Sequence, residues 1–313
     1  MKWEKRGLIF EPNKRFEWMQ THAQIPFPLE FDDFIRIYFA TRGKYVNKMC
    51  ESYGAFIDVD KTDFSKIIRI SEKPIMQHGG IGEFDEFGTM PASVIRVDKK
   101  YYMYYCGWTR SVSTPHKESI GLAVSDDGEY FVKYAPGPLM GDTLYEPYLH
   151  SYPVTYNING KYHMFYHTGI RWIQGEDRME TQYLLRHAVS EDGIKWDFDY
   201  KNIIETKVEY ESQTSPTIFY KDGVYHMYFC YRYSLNFRDV SERGYRIGYA
   251  FSEDLFNWKR ADELAGIDVS SNGWDSKMIA YPCVKKINDR YYMFYCGNDF
   301  GKQGFGYSVL VEE

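Results

Sequence analysis

Short aromatic and apolar runs recur along the chain at nearly constant spacing. Each run is centred eleven or twelve residues after a proline, and the five prolines are separated by 65, 62, 63 and 66 residues. These prolines are Pro26, Pro91, Pro153, Pro216 and Pro282. Polar pairs such as Asn159-Gly160 and Asp222-Gly223 precede the runs and favour tight hairpins. Each repeat therefore begins with a proline-led strand, a hairpin and a buried aromatic strand.

Two more strands complete each repeat. Segments such as Gly121–Ser125 and Gly248–Ser252 predict a third strand, and an aromatic residue six positions beyond it predicts a fourth. These aromatic residues are Phe64, Phe131, Trp196 and Trp258. The last repeat reaches the chain end first, and Trp3 near the N-terminus can supply its missing strand. We therefore predict one all-β domain over residues 1–313, a five-bladed β-propeller with four-stranded antiparallel blades and a ring closed by the N-terminal strand.

Composition narrows the classes of function. The formal net charge of −6 argues against nonspecific binding of nucleic acid, which needs clustered Lys and Arg. No segment approaches the roughly 18 apolar residues of a membrane span, and Met1–Arg6 lacks the apolar core of a secretory signal. Three of the five cysteines, Cys106, Cys230 and Cys296, occupy equivalent places in three repeats. We therefore expect packing cysteines, no partnership with nucleic acid or membrane, and a reducing, cytoplasmic compartment.

Polar residues cluster at two places in the repeats. In a propeller the start of the first strand and the end of the second open at one face, so side chains in these places converge. Four repeats carry a carboxylate five to seven residues before the proline, and four carry an arginine after the second strand. The candidate catalytic carboxylates are Asp85, Glu86, Glu146, Glu211 and Asp275. The candidate substrate-binding residues are His22, Gln24, Arg42, Trp108, Arg110, His150, Arg171, Trp172, Arg232 and Asn298.

This combination of side chains suits the processing of sugars. Glycoside cleavage uses two carboxyl groups about 5 to 9.5 Å apart, one protonating the leaving oxygen and one acting as base or nucleophile. Arginine forks bind carboxylate or phosphate, so the arginines indicate an anionic ligand. Each carboxylate also has a structural alternative, an ion pair with a neighbouring arginine, and each arginine can instead clamp adjacent blades. No metal-site spacing is present, because His163 and His167 lie four apart on a strand.

Several strings carry a resemblance to a known group. They are the outer hairpin Ser190–Trp196 and the segments Thr21–Gln24, Phe84–Gly88, Gly273–Ser276 and Gly304–Tyr307. With the repeated aromatic strands, they make the chain resemble the five-bladed propeller glycosidases of glycoside hydrolase families 43 and 32 and the mannoside phosphorylases of family 130. They are similar to an uncharacterised subgroup of glycosidases found with bacterial surface-sugar genes. The resemblance implies a propeller glycosidase that requires no cofactor and is compatible with a structural cation on the propeller axis.

The resemblance also guides the assignment of roles. Family 43 enzymes carry an aspartate base just before the first proline, whereas this sequence has Gln24-Ile25-Pro26 there. We therefore expect Glu211 to be the general acid and either Asp85 or Glu86 to be the base. The two remaining candidate carboxylates would tune the site or bind substrate.

Three functions remain open from the sequence. A hydrolase of an anionic glycoside would let water attack the anomeric carbon. A phosphorylase would use inorganic phosphate instead, held by the arginines. A non-catalytic sugar-binding propeller is the third, favoured by the missing aspartate in the first repeat. The partner in each case is a small molecule or an oligosaccharide, while the sugar, its linkage and the oligomeric state stay open.

Overall fold

The computed structural model describes residues 1–45 and 50–312, and this part of the chain is built almost wholly of β-strands. It begins with β1 (Lys2–Phe10). The first group of strands is β2 (Thr21–Glu30), β3 (Phe34–Arg42), β4 (Ser52–Asp60) and β5 (Ile67–Ile70). The second group is β6 (Gly88–Val97), β7 (Lys100–Arg110), β8 (His116–Ser125) and β9 (Val132–Lys133). The third group is β10 (His150–Ile158), β11 (Lys161–Gln174), β12 (Met179–Ser190) and β13 (Asp197–Phe198).

Two further groups of consecutive strands follow. The fourth group is β14 (Glu211–Lys221), β15 (Val224–Tyr233), β16 (Arg246–Ser252) and β17 (Lys259–Arg260). The fifth group is β18 (Ala280–Ile287), β19 (Arg290–Cys296) and β20 (Phe305–Glu312). Short helical turns lie at Ser241–Arg243, Asp262–Leu264 and Asn298–Gly301. No helix in the described residues is long and apolar enough to cross a membrane.

Strands that are consecutive in a group pair antiparallel. The third and fourth groups each form a separate four-stranded sheet, and β1 pairs with β20 to complete a four-stranded sheet with the fifth group. One parallel bridge between Ser52 and Gly88 joins the first two groups into a single eight-stranded sheet. The prediction of an all-β fold made of four-stranded antiparallel sheets is thus confirmed.

The leading strand of each group contacts the leading strand of the next. These contacts run from β2 to β6, β10, β14 and β18, and β18 also contacts β2. The N-terminal strand is anchored by Trp3, whose side chain is 5% exposed. Its indole Nε1 donates to the Tyr228 hydroxyl at 2.9 Å, and the two rings meet edge to face at 5.5 Å. β1 and β20, the first and last strands of the chain, therefore lie in one sheet, and Trp3 anchors that sheet to β15 of the fourth group.

The recurring proline marks a bulge in the leading strand. In four groups the residue just before the proline has a positive φ, and the pairing register shifts there. These residues are Ile25, Tyr152, Ser215 and Tyr281. A left-handed conformation at a non-glycine residue costs roughly 1–2 kcal/mol, so the surrounding sheet must hold each bulge in place. In the second group the register shifts between Pro91 and Ser93 instead.

The aromatic strands form the core, as their sequence predicts. Tyr104, Tyr166 and Tyr228 in the second strands of three groups are fully buried. The cysteines of the described part are free, and Cys106 and Cys230 are buried among these strands. This burial agrees with the expectation that they are packing residues.

Candidate active site

The main cavity opens where the leading strands begin and the second strands end, and its volume is about 480 Å³. Five of the ten predicted substrate-binding residues line it: Gln24, Arg42, Trp108, Trp172 and Arg232. They come from β2, β3, β7, β11 and β15, so four of the five groups contribute. These five side chains therefore share one cavity, whereas their role in binding substrate stays a prediction.

The other five predicted binding residues lie elsewhere. His22 borders an adjacent groove with Lys302, and burial, Arg42 and Lys302 lower its pKa to about 2. The Arg110 guanidinium lies 4.0 Å from the centre of the Phe87 ring. His150 is fully buried and pairs with a carboxylate described below.

Arg171 and Asn298 hold neighbouring segments in place. Arg171 donates through Nε to Gln182 at 2.7 Å and lies over Tyr210. The Asn298 side-chain oxygen accepts the backbone N–H of Lys277 at 2.7 Å. Neither side chain lines the main cavity.

The candidate catalytic carboxylates do not line the main cavity either. Asp85 is fully buried, accepts the Tyr105 hydroxyl at 2.8 Å and pairs with Lys133 Nζ at 2.7 Å. Asp275 repeats this arrangement with the Tyr295 hydroxyl at 3.0 Å and Lys5 Nζ at 2.7 Å. In both cases a tyrosine twenty residues along the chain and a lysine from another strand hold the carboxylate. This arrangement is called the carboxylate clamp below.

Glu146 is held in the same way, with its Oε2 accepting the Tyr166 hydroxyl at 3.0 Å. Arg186 Nε donates to its Oε1 at 3.0 Å, and His150 Nε2 lies 3.0 Å from its Oε2. Glu86 has a different place, where its carboxylate accepts the backbone N–H of Gly82 at 3.1 Å.

Glu211, the expected general acid, takes the equivalent place in the fourth group but is held by other partners than the tyrosine and lysine of the clamp. Its Oε1 accepts Arg260 Nη1 at 2.6 Å and Gln213 Nε2 at 2.7 Å. Its Oε2 accepts the backbone N–H groups of Lys207 and Val208 at 2.8 and 3.1 Å. The side chain has no solvent exposure. A buried carboxylate with four donors, outside the lining of the main cavity, is placed to fix a loop to its strands. The role of general acid stays a prediction from the sequence.

Among the described residues, the carboxylates that line the main cavity are Glu118 and Glu180. The pairing register explains the place of Glu118. Each of four groups has an equivalent second-strand residue that pairs with one residue of the third strand, and these second-strand residues are Ala40, Cys106, His167 and Cys230. The four residues that stand two positions before these third-strand partners all line the cavity. They are Ser52, Glu118, Tyr183 and Tyr245. Counting residues back from the third strand would have located the position of Glu118 in the sequence. It would not have shown what the carboxylate does there.

Glu118 lies in a polar pocket within the cavity wall. His116 Nε2 is 3.2 Å from its Oε1, and the Cys106 thiol lies 3.7 Å from its Oε2. Burial alone would raise the pKa of Glu118, but hydrogen bonds from His116 and Ser151, with the positive charges that His116 and His167 carry when protonated, lower it to about 2. Glu118 is therefore ionised at neutral pH, so its oxygens can act only as acceptors.

Glu180 is surrounded by arginines. Arg178 Nε lies 3.1 Å from its Oε1, and Arg238 donates a short hydrogen bond to the same oxygen. Arg178, Arg232 and Arg238 all line the main cavity. The Arg232 and Arg238 guanidinium carbons lie 3.5 and 4.1 Å from the centre of the Phe237 ring. These three arginines are called the arginine cluster below.

Aromatic rings form one side of the cavity. Tyr152 and Tyr281, the bulge residues before two prolines, stack with ring centres 5.4 Å apart. His167 stacks between Tyr152 and Tyr183, at 5.2 and 4.3 Å. Burial lowers the pKa of His167 to about 3, so its ring is neutral. Such ring faces suit the apolar face of a sugar.

Within residues 1–45 and 50–312, no three or more His, Cys, Asp or Glu side chains are grouped so that they could hold a metal ion.

Comparison with known proteins identifies relatives along the whole chain. No protein-family model matches it. The uncharacterised protein Rv1502 of Mycobacterium tuberculosis (strain ATCC 25618 / H37Rv) is 35% identical over 312 residues, which is 99% of each chain. The uncharacterised protein MT1551 of strain CDC 1551 / Oshkosh matches with the same identity and coverage. The chain belongs to the family of Rv1502.

Solved structures similar to this member of the Rv1502 family are glycoside hydrolases. One described as a glycoside hydrolase superposes with a TM-score of 0.77 at 15% identity, covering 99% of this chain and 92% of that chain. A glycosyl hydrolase from Bacteroides ovatus gives 0.71 at 15% identity, with 98% and 92% covered. A thermostable family-43 glycoside hydrolase gives 0.65 at 15% identity, with 92% and 88% covered. The resemblance to these glycosidases is confirmed for the fold.

Proposed function

We propose that the five groups of strands are the blades of one five-bladed β-propeller domain over residues 1–313. The pairing of β1 with β20 and the contact of β18 with β2 support a closed ring. In such a ring the main cavity lies at one end of the axis, where the leading strands begin. A cytoplasmic location is part of this proposal and is supported by the free cysteines.

The chain acts in this proposal as a glycoside-cleaving enzyme of the hydrolase type. The observation that carries it is the pair Glu118 and Glu180, the acidic residues among the described cavity-lining side chains. Aromatic rings on one side of the cavity would position the sugar, and the carboxylates face the same space. The shared fold with glycoside hydrolases supports the proposal.

The two carboxylates differ in what they can do. Glu118, held ionised by His116, would take a proton from the attacking water. Glu180 would orient the arginine cluster, which would bind a negatively charged part of the substrate. The substrate is therefore an anionic glycoside of small size, since the cavity volume of about 480 Å³ lies in the usual range for small-molecule sites.

A phosphorylase is the second candidate, and the arginine cluster is the observation that favours it. Inorganic phosphate held by these guanidiniums would attack the anomeric carbon in place of water. The two functions differ in one requirement, because only the phosphorylase needs added phosphate to release the leaving group.

The test is turnover of a panel of neutral and acidic aryl glycosides, with and without inorganic phosphate. We expect release without phosphate from the native protein, and a loss of about 10²–10⁴-fold in Glu118→Gln. Glu191→Gln is the matched control, because Glu191 is 81% exposed and outside the cavity. Release that strictly requires phosphate would assign the phosphorylase. Sugar binding with equal, background turnover in the native protein and Glu118→Gln would assign a binding protein.

A further inference from the structure

The arginine cluster carries more positive charge than its protein partners neutralise. Three guanidiniums line one region of the cavity, and Glu180 is the carboxylate that pairs with two of them. Arg232 is 5% exposed, and its Nη1 donates to the backbone oxygen of Tyr233 at 2.8 Å. Its buried Nε has no hydrogen-bond partner in the part of the chain that the structure describes. An unpaired buried donor beside excess positive charge is unfavourable, so an anionic ligand would complete this region.

The arginines of the cluster repel one another, and this repulsion affects the pKa of Arg238. Burial first, and then the charges of Arg178 and Arg232, lower the pKa of Arg238 despite the opposing field of Glu180. An added dianion would relieve this repulsion and offer acceptors to all three arginines. Arg–phosphate pairs are often bidentate, and phosphate has enough oxygens to serve several guanidiniums at once.

Among the described residues that line this cavity, no carboxyl group is placed to donate a proton. Glu180 Oε1 is already engaged by the guanidiniums of Arg178 and Arg238. Glu118 accepts from His116 and Cys106 and is placed as an acceptor. Residues 46–49, outside the described part, have the sequence Val-Asn-Lys-Met and add no carboxyl group. A leaving group that departs as a stable anion needs no protonation, and phosphate is such a group.

We propose that the substrate carries a phosphate ester on its anomeric carbon, and that Arg178, Arg232 and Arg238 bind this phosphate as the leaving group. The inference rests on the proposed function, because it assumes that a sugar is cleaved in the main cavity. It adds the chemical class of the substrate and the place of the bond that breaks.

The reaction balances without a general acid. The anomeric C–O bond to phosphate breaks, and its electron pair leaves on the phosphate oxygen next to the arginine cluster. A water oxygen forms the new bond to the anomeric carbon, and Glu118 accepts the proton that this water loses. The products are the free sugar and inorganic phosphate, after Glu118 returns its proton to phosphate or solvent.

The first arm of the test measures binding of inorganic phosphate, the product, by isothermal titration calorimetry. Arg238→Gln should weaken binding about 10- to 100-fold, the loss of one charged hydrogen bond. The Arg238 side chain is 37% exposed, so this variant should fold. Arg243→Gln is the control, because Arg243 lies over Tyr233 outside the cavity and should bind phosphate like the native protein. Absence of phosphate binding by the native protein, or equal weakening in both variants, overturns the inference.

The second arm compares leaving groups. Phosphate or nucleotide release should occur from hexose 1-phosphates or nucleoside diphosphate hexoses, which separates a monoester from a diphosphate substrate. Methyl glycosides should stay intact, because an alkoxide needs a proton to leave. Phosphate binding without release from either class overturns the leaving-group role. Cleavage of methyl glycosides at a comparable rate also overturns it, yet leaves the proposed function intact. Release that requires an added acceptor sugar keeps the inference and replaces hydrolysis by transfer.

Discussion

Replacing Glu211 by glutamine separates the structural role of this residue from the catalytic role that its sequence position predicts. Glutamine can present only one oxygen, whereas the Glu211 carboxylate accepts four hydrogen bonds, two at each oxygen. The new NH₂ group must therefore face either two backbone N–H groups or the pair of Arg260 and Gln213. Breaking a buried ion pair costs about 3–5 kcal/mol.

The expected loss lies near the lower end of that range, because Arg260 keeps a second acidic partner. Its Nε donates to the Asp262 carboxylate at 2.9 Å. We expect Glu211→Gln to lower the free energy of unfolding by about 3 kcal/mol. For 313 residues at about 2.1 cal/mol/K each, the entropy of unfolding is roughly 0.66 kcal/mol/K, and the midpoint of thermal unfolding should fall by about 5 °C.

The assay is thermal unfolding followed by circular dichroism, together with turnover per folded molecule below the transition. Glu209→Gln serves as the control, since Glu209 is exposed in the same loop and should change stability by less than about 0.5 kcal/mol. Turnover by folded Glu211→Gln should stay within about twofold of the native protein. An unchanged midpoint with abolished turnover would refute this reasoning and restore Glu211 as the general acid.

Three further changes test other parts of the structure. The free energy of unfolding of the native protein should fall by up to about 3 kcal/mol as the pH drops from 4.5 to 2, because protonation of Glu118 in this range removes the stabilisation that its lowered pKa provides. Urea unfolding of Glu118→Gln should not show this loss. Trp3→Ala should cost about 3–5 kcal/mol in chemical unfolding, since it removes a buried ring and its bond to Tyr228. Tyr295→Phe should cost about 1.5 kcal/mol with turnover unchanged, because Asp275 loses a donor but keeps its lysine; lost turnover would contradict the clamp role.

Much of the fold could be predicted from spacing alone. Aromatic runs with a fixed distance to a proline report strand position directly, because a buried strand needs apolar side chains at regular places. The bulge at these prolines could not be predicted in this way. It depends on left-handed conformations at Ile25 and Tyr152, which are neither glycine nor asparagine and carry no local signal for a positive φ.

Five of the predicted binding residues line the main cavity, whereas the candidate catalytic carboxylates do not. The sequence places the residues before each proline and those after each second strand at the same end of the sheets. It does not tell which side chains point into the cavity and which point between strands. Arg42 and Arg232 line the cavity, whereas Glu146 and Glu211 turn toward cations of their own sheets. The orientation depends on partners such as Arg186 and Arg260, which lie 40 and 49 residues away.

The recurrence of carboxylates between repeats helps to distinguish a structural role from a catalytic one. A fold built of repeats needs the same structural device in each repeat, so a carboxylate that appears before four prolines is expected to hold strands together. A single cavity needs each catalytic group only once. Glu118 fits this second condition, since the equivalent positions carry Ser52, Tyr183 and Tyr245. In repeat proteins, a cavity-facing position at which one repeat carries a different residue from the others is therefore the better guide to chemistry.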